Sequence, residues 1–160
     1  LFACNGILFN HESTRRGSNF VTNKVVKNSV RIALGFQKYL EVGNIHAYRD
    51  WGHAKDYVIA MQKILNYKKP DDWVVATGQS RSVGQMINYV FKKLKIDKEK
   101  HLKINKKFFR PEELKYLKGD SSKIRRTLKW KPEYTFEQML DEMIEFWIKF
   151  YNKNKDLKDF

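Results

Sequence analysis

The stretch that decides the fold is LFACNGILFNHESTRRGSNFVTNKVV, residues 1–26. It opens on an apolar run, crosses a crowded polar segment and re-emerges as an amphipathic pattern. LFACNGILF reads as a buried strand. FNHESTRRGS reads as a loop. Asn19 is placed to cap a helix over about 20–34, in which Phe20, Val21, Val25, Val26, Ser29, Val30 and Ala33 gather on one side, and Gly35 ends it. Strand, loop and helix in that order form one step of a parallel α/β architecture, and loops at the ends of parallel strands are where such folds hold ligands.

The same alternation continues along the chain. KYLEVG reads as a strand. Asp50 is placed to cap a helix whose Ala54, Tyr57, Val58, Met61, Ile64 and Leu65 recur at helical spacing. Pro70-Asp71-Asp72 breaks the chain, and WVVAT is a second apolar strand. Ser82 with Gln85 forms a capping box for a helix running to about Leu94. HLKINKKFF alternates weakly, as an edge strand does. Asp120 starts a short helix ending near Trp130. Thr135 with Gln138 makes another capping box, and the last helix buries Phe136, Met139, Leu140, Met143, Trp147 and Phe150. KNKDLKDF at the end reads as a solvated tail. Strands alternating with helices imply a largely parallel sheet.

Composition bounds the function. The 160 residues carry a formal net charge of +14, with 24 Lys against 8 Arg. Such a surplus raises nucleic acid as a partner, but a lysine-dominated charge also describes an ordinary solvated surface, and no basic helix or stripe stands out. Cys4 is alone, which excludes an intrachain disulfide and fits a reducing cytosol. It is expected to be buried. No segment is apolar enough for long enough to span a bilayer. LFACNGILF lacks a basic flank and contains Asn5 and Gly6, so it is read as a strand rather than a signal-peptide core.

The chain has no GxGxxG or P-loop, and no His/Cys/Asp/Glu set at metal-ligand spacing. His46 and His53 read as surface histidines. Three arginine sites remain. Arg15 and Arg16 beside Gly17 can hold a phosphate through charge-assisted bonds, with Asn10 and His11 near a base or ribose; the alternative is a solvated turn in which Glu12 pairs with an arginine. Arg49, just before an expected helix start, can clamp a diphosphate; the alternative is an Arg49–Asp50 structural pair with Trp51 in the core. Arg110, held extended by Pro111, precedes Glu112 and Glu113 and suits a diphosphate plus a ribose or guanine edge; the alternative is a plain turn.

Taken together, LFACNGILFNHESTRRGSNFVTNK, YLEVGNIHAYRDWGHAKDYVIAM, WVVATGQSRSV, FFRPEELKYLKGD and LKWKPEYTFEQMLDEM resemble the C-terminal part of the GDP-mannose 4,6-dehydratases. These belong to the extended short-chain dehydrogenase/reductases, with an NAD(P)-binding Rossmann-type α/β fold and a smaller substrate-binding domain. The resemblance implies that residues 1–160 are a C-terminal fragment: the last Rossmann strands and helices interleaved with the GDP-sugar-binding domain, without the N-terminal cofactor-binding half. It implies NADP-dependent conversion of GDP-mannose to GDP-4-keto-6-deoxymannose by a cytoplasmic homo-oligomer, with neither nucleic acid nor a membrane as partner. The Ser/Thr, Tyr and Lys that do the chemistry are expected upstream, so the fragment alone is expected to be inactive. By the same resemblance His11 and Arg16 contact NADP. Asn10, Lys24, Arg49, Arg110 and Glu113 lie on the GDP-sugar side, with Val21 and Gly43 lining it. The chain departs from the family pattern at Thr14, where Pro is usual, at Asn23, where a basic residue is usual, and after Glu113, where the later Asp is absent. A related GDP-sugar reductase or epimerase, or a basic non-catalytic nucleotide- or nucleic-acid-binding module, remains an alternative.

Overall fold

The computed structural model describes residues 1–154, so all but the first two residues of the expected KNKDLKDF tail lie outside the described residues. The chain divides into two interleaved units. Unit 1 comprises Leu1–Ser13, Tyr48–Arg81 and Tyr116–Met139; unit 2 comprises Thr14–Ala47, Ser82–Lys115 and, among the described residues, 140–154.

In unit 1, β1 (Asn5–Leu8) runs parallel to β5 (Asp72–Val75), with Asn5 opposite Asp72 and Leu8 opposite Val75. The polar segment that follows is not wholly a loop. Asn10–Glu12 forms a strand, β2, parallel to β4 (Tyr48–His53), with Asn10 opposite Trp51 and Glu12 opposite His53. β6 (Ser80–Ser82) lies on the other side of β4. A strand as polar as Asn-His-Glu persists because its side chains have work: Glu12 is buried and the His11 ring stacks on Tyr57, centroids 4.9 Å apart. β1 is more exposed than its apolar sequence suggests, and Cys4 is half-buried against the core edge.

The helix α2 (Ala54–Leu65) starts later than expected. Asp50 does not cap it, because the strand continues three residues further; His53 takes that place and its Nδ1 accepts from the Lys55 N–H at 3.1 Å. His53 is therefore buried rather than on the surface, and its ring lies 4.0 Å from that of Tyr134. The buried stripe of α2 is Tyr57, Ala60 and Ile64, which with Trp73, Val75, Ile124 and Trp130 makes one core. Val58, Met61 and Leu65, expected on that stripe, face outward. The inward position is taken instead by Asp56, whose backbone carbonyl accepts from the Trp130 indole at 2.8 Å and whose carboxylate accepts from the Tyr134 N–H at 3.1 Å. Asp120 accepts from the Ser122 N–H at 2.8 Å where α5 (Ser122–Leu128) begins.

In unit 2, α1 (Val21–Ala33) packs against α3 (Val83–Leu94), and β3 (Leu40–Val42) runs parallel to β7 (Leu102–Ile104). The β1–β5, β2–β4 and β3–β7 ladders are all parallel, but they belong to small separate sheets rather than one continuous sheet. The cap of α1 is Phe20, with no side-chain bond; Asn19 does not cap it. Gly35, at φ +76°, closes the helix as expected: its N–H reaches the Ile32 carbonyl at 3.0 Å and that of Phe36 reaches Arg31 at 2.8 Å, the paired bonds of a Schellman stop. Both capping boxes form, Ser82–Gln85 and Thr135–Gln138. A short α4 (Lys98–His101) precedes β7. The last helix, α6 (Phe136–Lys153), is held to α1 by a Trp147 indole bond to Asn23 at 2.8 Å and to α3 by Tyr89 and Lys93, both bonded to Asp141 at 2.8 Å. Asn23, where a basic residue was the family norm, thus has a buried structural use.

Candidate functional site

The candidate residues fall into both units, and each unit assembles its own group. In unit 2, three separated pieces of chain meet. Lys24 projects from the first turns of α1, and its Nζ sits 3.5 Å from the centroid of the Phe108 ring. Phe108 ends a 3₁₀ turn over Lys106–Phe108, and its carbonyl lies where a Cβ on Gly43 would be. Gly43 follows β3 directly, so the absence of a side chain there is what lets the 106–113 segment come down on the strand end. Its neighbour Asn44 donates from Nδ2 to Glu113 Oε2 at 3.0 Å. Lys24, Gly43 and Glu113, separated in sequence, therefore belong to one cluster.

The charge in this cluster is kept accessible. Burial pushes the Lys24 ammonium below its ordinary value, and Glu41 only partly restores it. An ammonium so placed, backed by an aromatic face, gains more from a bound anion than a fully hydrated lysine would. Val21 is half-buried at the start of α1, and Arg110 is exposed just beyond the 3₁₀ turn. Arg16, ahead of α1, lays its guanidinium 3.4 Å from the Phe20 ring centroid, and the Asn23 amide holds its backbone carbonyl. Asn44 and Phe108 were not among the sequence candidates. Nothing in their spacing singles them out; they are recognised only once β3 and the 3₁₀ turn are adjacent.

In unit 1, Asn10 and His11 lie on β2 and Arg49 on β4, the neighbouring strand. His11 Nδ1 is 2.9 Å from the Phe9 carbonyl. A carbonyl can only accept, so Nδ1 carries the proton of the neutral ring, and Nε2 is then its acceptor face. The Arg49 Nη1 donates to the Tyr48 carbonyl at 2.7 Å. Arg49 and Asp50 do not form the structural pair considered above: Asp50, with no exposed surface, accepts from Thr77 N–H and Oγ1–H, Gly78 N–H and Gly119 N–H. Trp51 is buried, as that alternative had it. Beneath these residues lies Tyr57, whose hydroxyl has no hydrogen-bond partner among the described residues. Burial, then the carboxylates of Asp50, Asp56 and Glu12, push its phenol far up, so it stays neutral.

A family profile described as GDP-mannose 4,6 dehydratase matches residues 1–143. The chain belongs to the GDP-mannose 4,6-dehydratase family. GDP-mannose 4,6 dehydratase 1 of Arabidopsis thaliana is 46% identical over 159 residues, covering 99% of this chain and 44% of that protein. The Homo sapiens GDP-mannose 4,6 dehydratase is 41% identical over 163 residues, covering 90% of this chain and 43% of its own length. The chain thus spans less than half the length of the curated relatives it matches. Among solved structures, RMD from Pseudomonas aeruginosa complexed with NADPH superposes with a TM-score of 0.80 at 21% identity, over 90% of this chain and 47% of that one. A dTDP-glucose 4,6-dehydratase from Bacillus anthracis in complex with NAD gives 0.78 at 18% identity, over 95% and 45%. At these identities the structures speak for the fold alone, an α/β fold with parallel strand ladders. In this dehydratase-family chain no helix among the described residues is long and apolar enough to cross a membrane.

Proposed function

We propose that this chain is the nucleotide-sugar-binding portion of a GDP-mannose 4,6-dehydratase, an NADP-dependent lyase that forms GDP-4-keto-6-deoxymannose. The observation that carries the reading is the 46% identity to a curated dehydratase along 159 residues. The unit 2 cluster supports it chemically. Lys24 supplies a partly dehydrated positive charge, Arg110 a fork suited to a diphosphate, and Glu113 a carboxylate that accepts from ribose hydroxyls or guanine N–H groups. Asn44 donates to one oxygen of Glu113 and so fixes how the carboxylate is turned. Val21 and Gly43 line the site without filling it. Unit 1, taken by itself, carries Arg49, a fork of the kind a diphosphate takes, and Asn10, an amide of the kind a sugar hydroxyl takes.

The residues assigned to NADP fit a phosphorylated dinucleotide. Arg16 offers a cation backed by an aromatic ring, and His11 offers an acceptor at Nε2 for a donor such as a carboxamide. NADP, when bound, supplies the hydride acceptor and donor for the C4 oxidation and C6 reduction that flank loss of water across C5–C6. In this reading unit 1 carries the last Rossmann strands and unit 2 the substrate domain. The enzyme is a cytoplasmic homo-oligomer, and its proton-transfer residues belong to the portion of the relatives this chain does not span.

Calorimetric titration of the 160-residue chain tests the binding part. GDP and GDP-mannose should compete for one site, while UDP and dTDP should not bind. Lys24→Ala and Arg110→Ala should each weaken GDP by roughly tenfold, about 1.4 kcal/mol. Fused behind the N-terminal portion of a curated relative, the chain should turn over GDP-mannose. Turnover confined to a UDP- or dTDP-sugar would sink the assignment.

A further inference from the structure

Arg49 and Asp50 are neighbours on β4, so their side chains leave opposite faces of the strand. Asp50 cannot act on Arg49 by direct pairing. It reaches Arg49 by another route. Asp50 Oδ2 accepts from Gly78 N–H at 2.9 Å and from Gly119 N–H at 3.2 Å, while Oδ1 holds the Thr77 N–H at 2.9 Å and its hydroxyl. Gly119 lies two residues after Leu117. The Leu117 N–H donates to the Tyr48 carbonyl at 3.1 Å, and that same carbonyl accepts from Arg49 Nη1 at 2.7 Å. The 116–119 segment has one seat: a side chain on Gly119 would strike the Ala76 methyl and come within 3.0 Å of the Phe9 ring. The Tyr116 ring also lies tilted against that of Tyr48, centroids 5.6 Å apart.

We propose that Asp50 is a positioning residue for Arg49: its buried carboxylate fixes the 116–119 segment, which sets the Tyr48 carbonyl that the Arg49 guanidinium grips. The inference rests on the reading of Arg49 as a diphosphate ligand, and it adds to that reading a residue that touches no ligand. An aspartate is required because every group facing it is a donor. Asn in its place would turn one oxygen into a donor aimed at N–H groups.

The test is a double-mutant cycle on GDP affinity in the full 160-residue chain, joined to an NMR readout independent of ligand. Arg49→Ala should weaken GDP by roughly tenfold, Asp50→Asn by a similar factor, and Asp50→Asn in the Arg49→Ala background by less than about twofold. In Asp50→Asn the Arg49 Nε–Hε resonance should move and the Gly119 amide should lose exchange protection. The Trp130 indole N–H, bonded to Asp56 in the same unit, should not change. Leu117→Pro, which deletes the linking N–H without touching Asp50, should reproduce the Arg49 effects, and it serves if Asp50→Asn does not fold. An equal loss from Asp50→Asn in both backgrounds, or an unmoved Arg49 resonance with Gly119 opened, overturns the proposal. If the unaltered chain binds no GDP, the functional reading fails, while the resonances still decide whether Asp50 positions Arg49.

Discussion

Asp50 in unit 1 and Lys24 in unit 2 both carry a charge away from bulk water, by opposite means. Asp50 has no exposed surface, and four donors from separate stretches of backbone and one hydroxyl meet its two oxygens. Lys24 is only half-buried and is met by an aromatic face and by a more distant carboxylate. The first arrangement locks backbone segments to one another, because its directional bonds converge on one carboxylate. The second leaves the ammonium with capacity to spare, because a ring face and a remote charge satisfy it incompletely. In the proposed reading the first arrangement serves as scaffold and the second as a ligand contact.

The sharpest way to break this contrast is to empty the buried position. Asp50→Ala leaves donors of Thr77, Gly78 and Gly119 buried without acceptors and should cost about 4 kcal/mol. Urea denaturation of the two proteins would show it as a large drop in midpoint. Lys24→Ala, by contrast, should leave that midpoint nearly unmoved. Next in size comes Gly52→Ala, also in the frame. The new methyl would lie 2.5 Å from Tyr57 Cε2 and 2.9 Å from Thr77 Cγ2, and both are packed, so a loss of about 2–3 kcal/mol is expected in thermal unfolding. Ser82→Ala removes one half of a capping box on α3 and should cost about 1 kcal/mol, read as a modest fall in melting temperature. The smallest effect is a pH dependence. The Lys24 ammonium sits below its unfolded value of 10.5 when folded, so between those two values the unfolded chain binds more protons and stability rises with pH. Below the folded value the burial cost is fully present. Comparing midpoints at pH 8 and pH 10.5, the unaltered chain should gain relative to Lys24→Met; an equal response in both would show that burial does not weigh on this lysine.

The sequence made the frame's outline readable where local chemistry decides it. Ser82–Gln85 and Thr135–Gln138 cap helices because each box satisfies its own N–H groups, whatever the rest of the chain does. Gly35 ends α1 because only glycine takes its backbone angle cheaply. The errors arise where a distant partner decides. Asp50 has the right type and place for a cap, but β4 outlasts it, and its donors come from residues 77, 78 and 119. His53 is polar and looks superficial, yet Tyr134 covers it. On α2 two stripes compete, and only the segment at 130–134 shows that Asp56, Tyr57, Ala60 and Ile64 turn inward. For the site, motif resemblance brought out Lys24, Gly43 and Glu113, which the fold brings together. It did not bring out Asn44 or Phe108, whose use depends on the 3₁₀ turn settling onto the end of β3.

The interleaving of the two units bears on how the chain is made. Strand β1 pairs with β5, and its Asn5 amide donates to Asp72 across 67 residues. The Asp50 carboxylate waits for Gly119 across a further 69. A ribosome emitting this chain from its N-terminus has released most of it before unit 1 can acquire its last stretch. Neither unit can therefore mature as a continuous piece of nascent polypeptide. Contacts this far apart make for slow acquisition of structure and a long interval in which β1 is exposed to other chains. Protease nicking within residues 14–47 would cut the tether between pieces of unit 1 without excising a self-sufficient half.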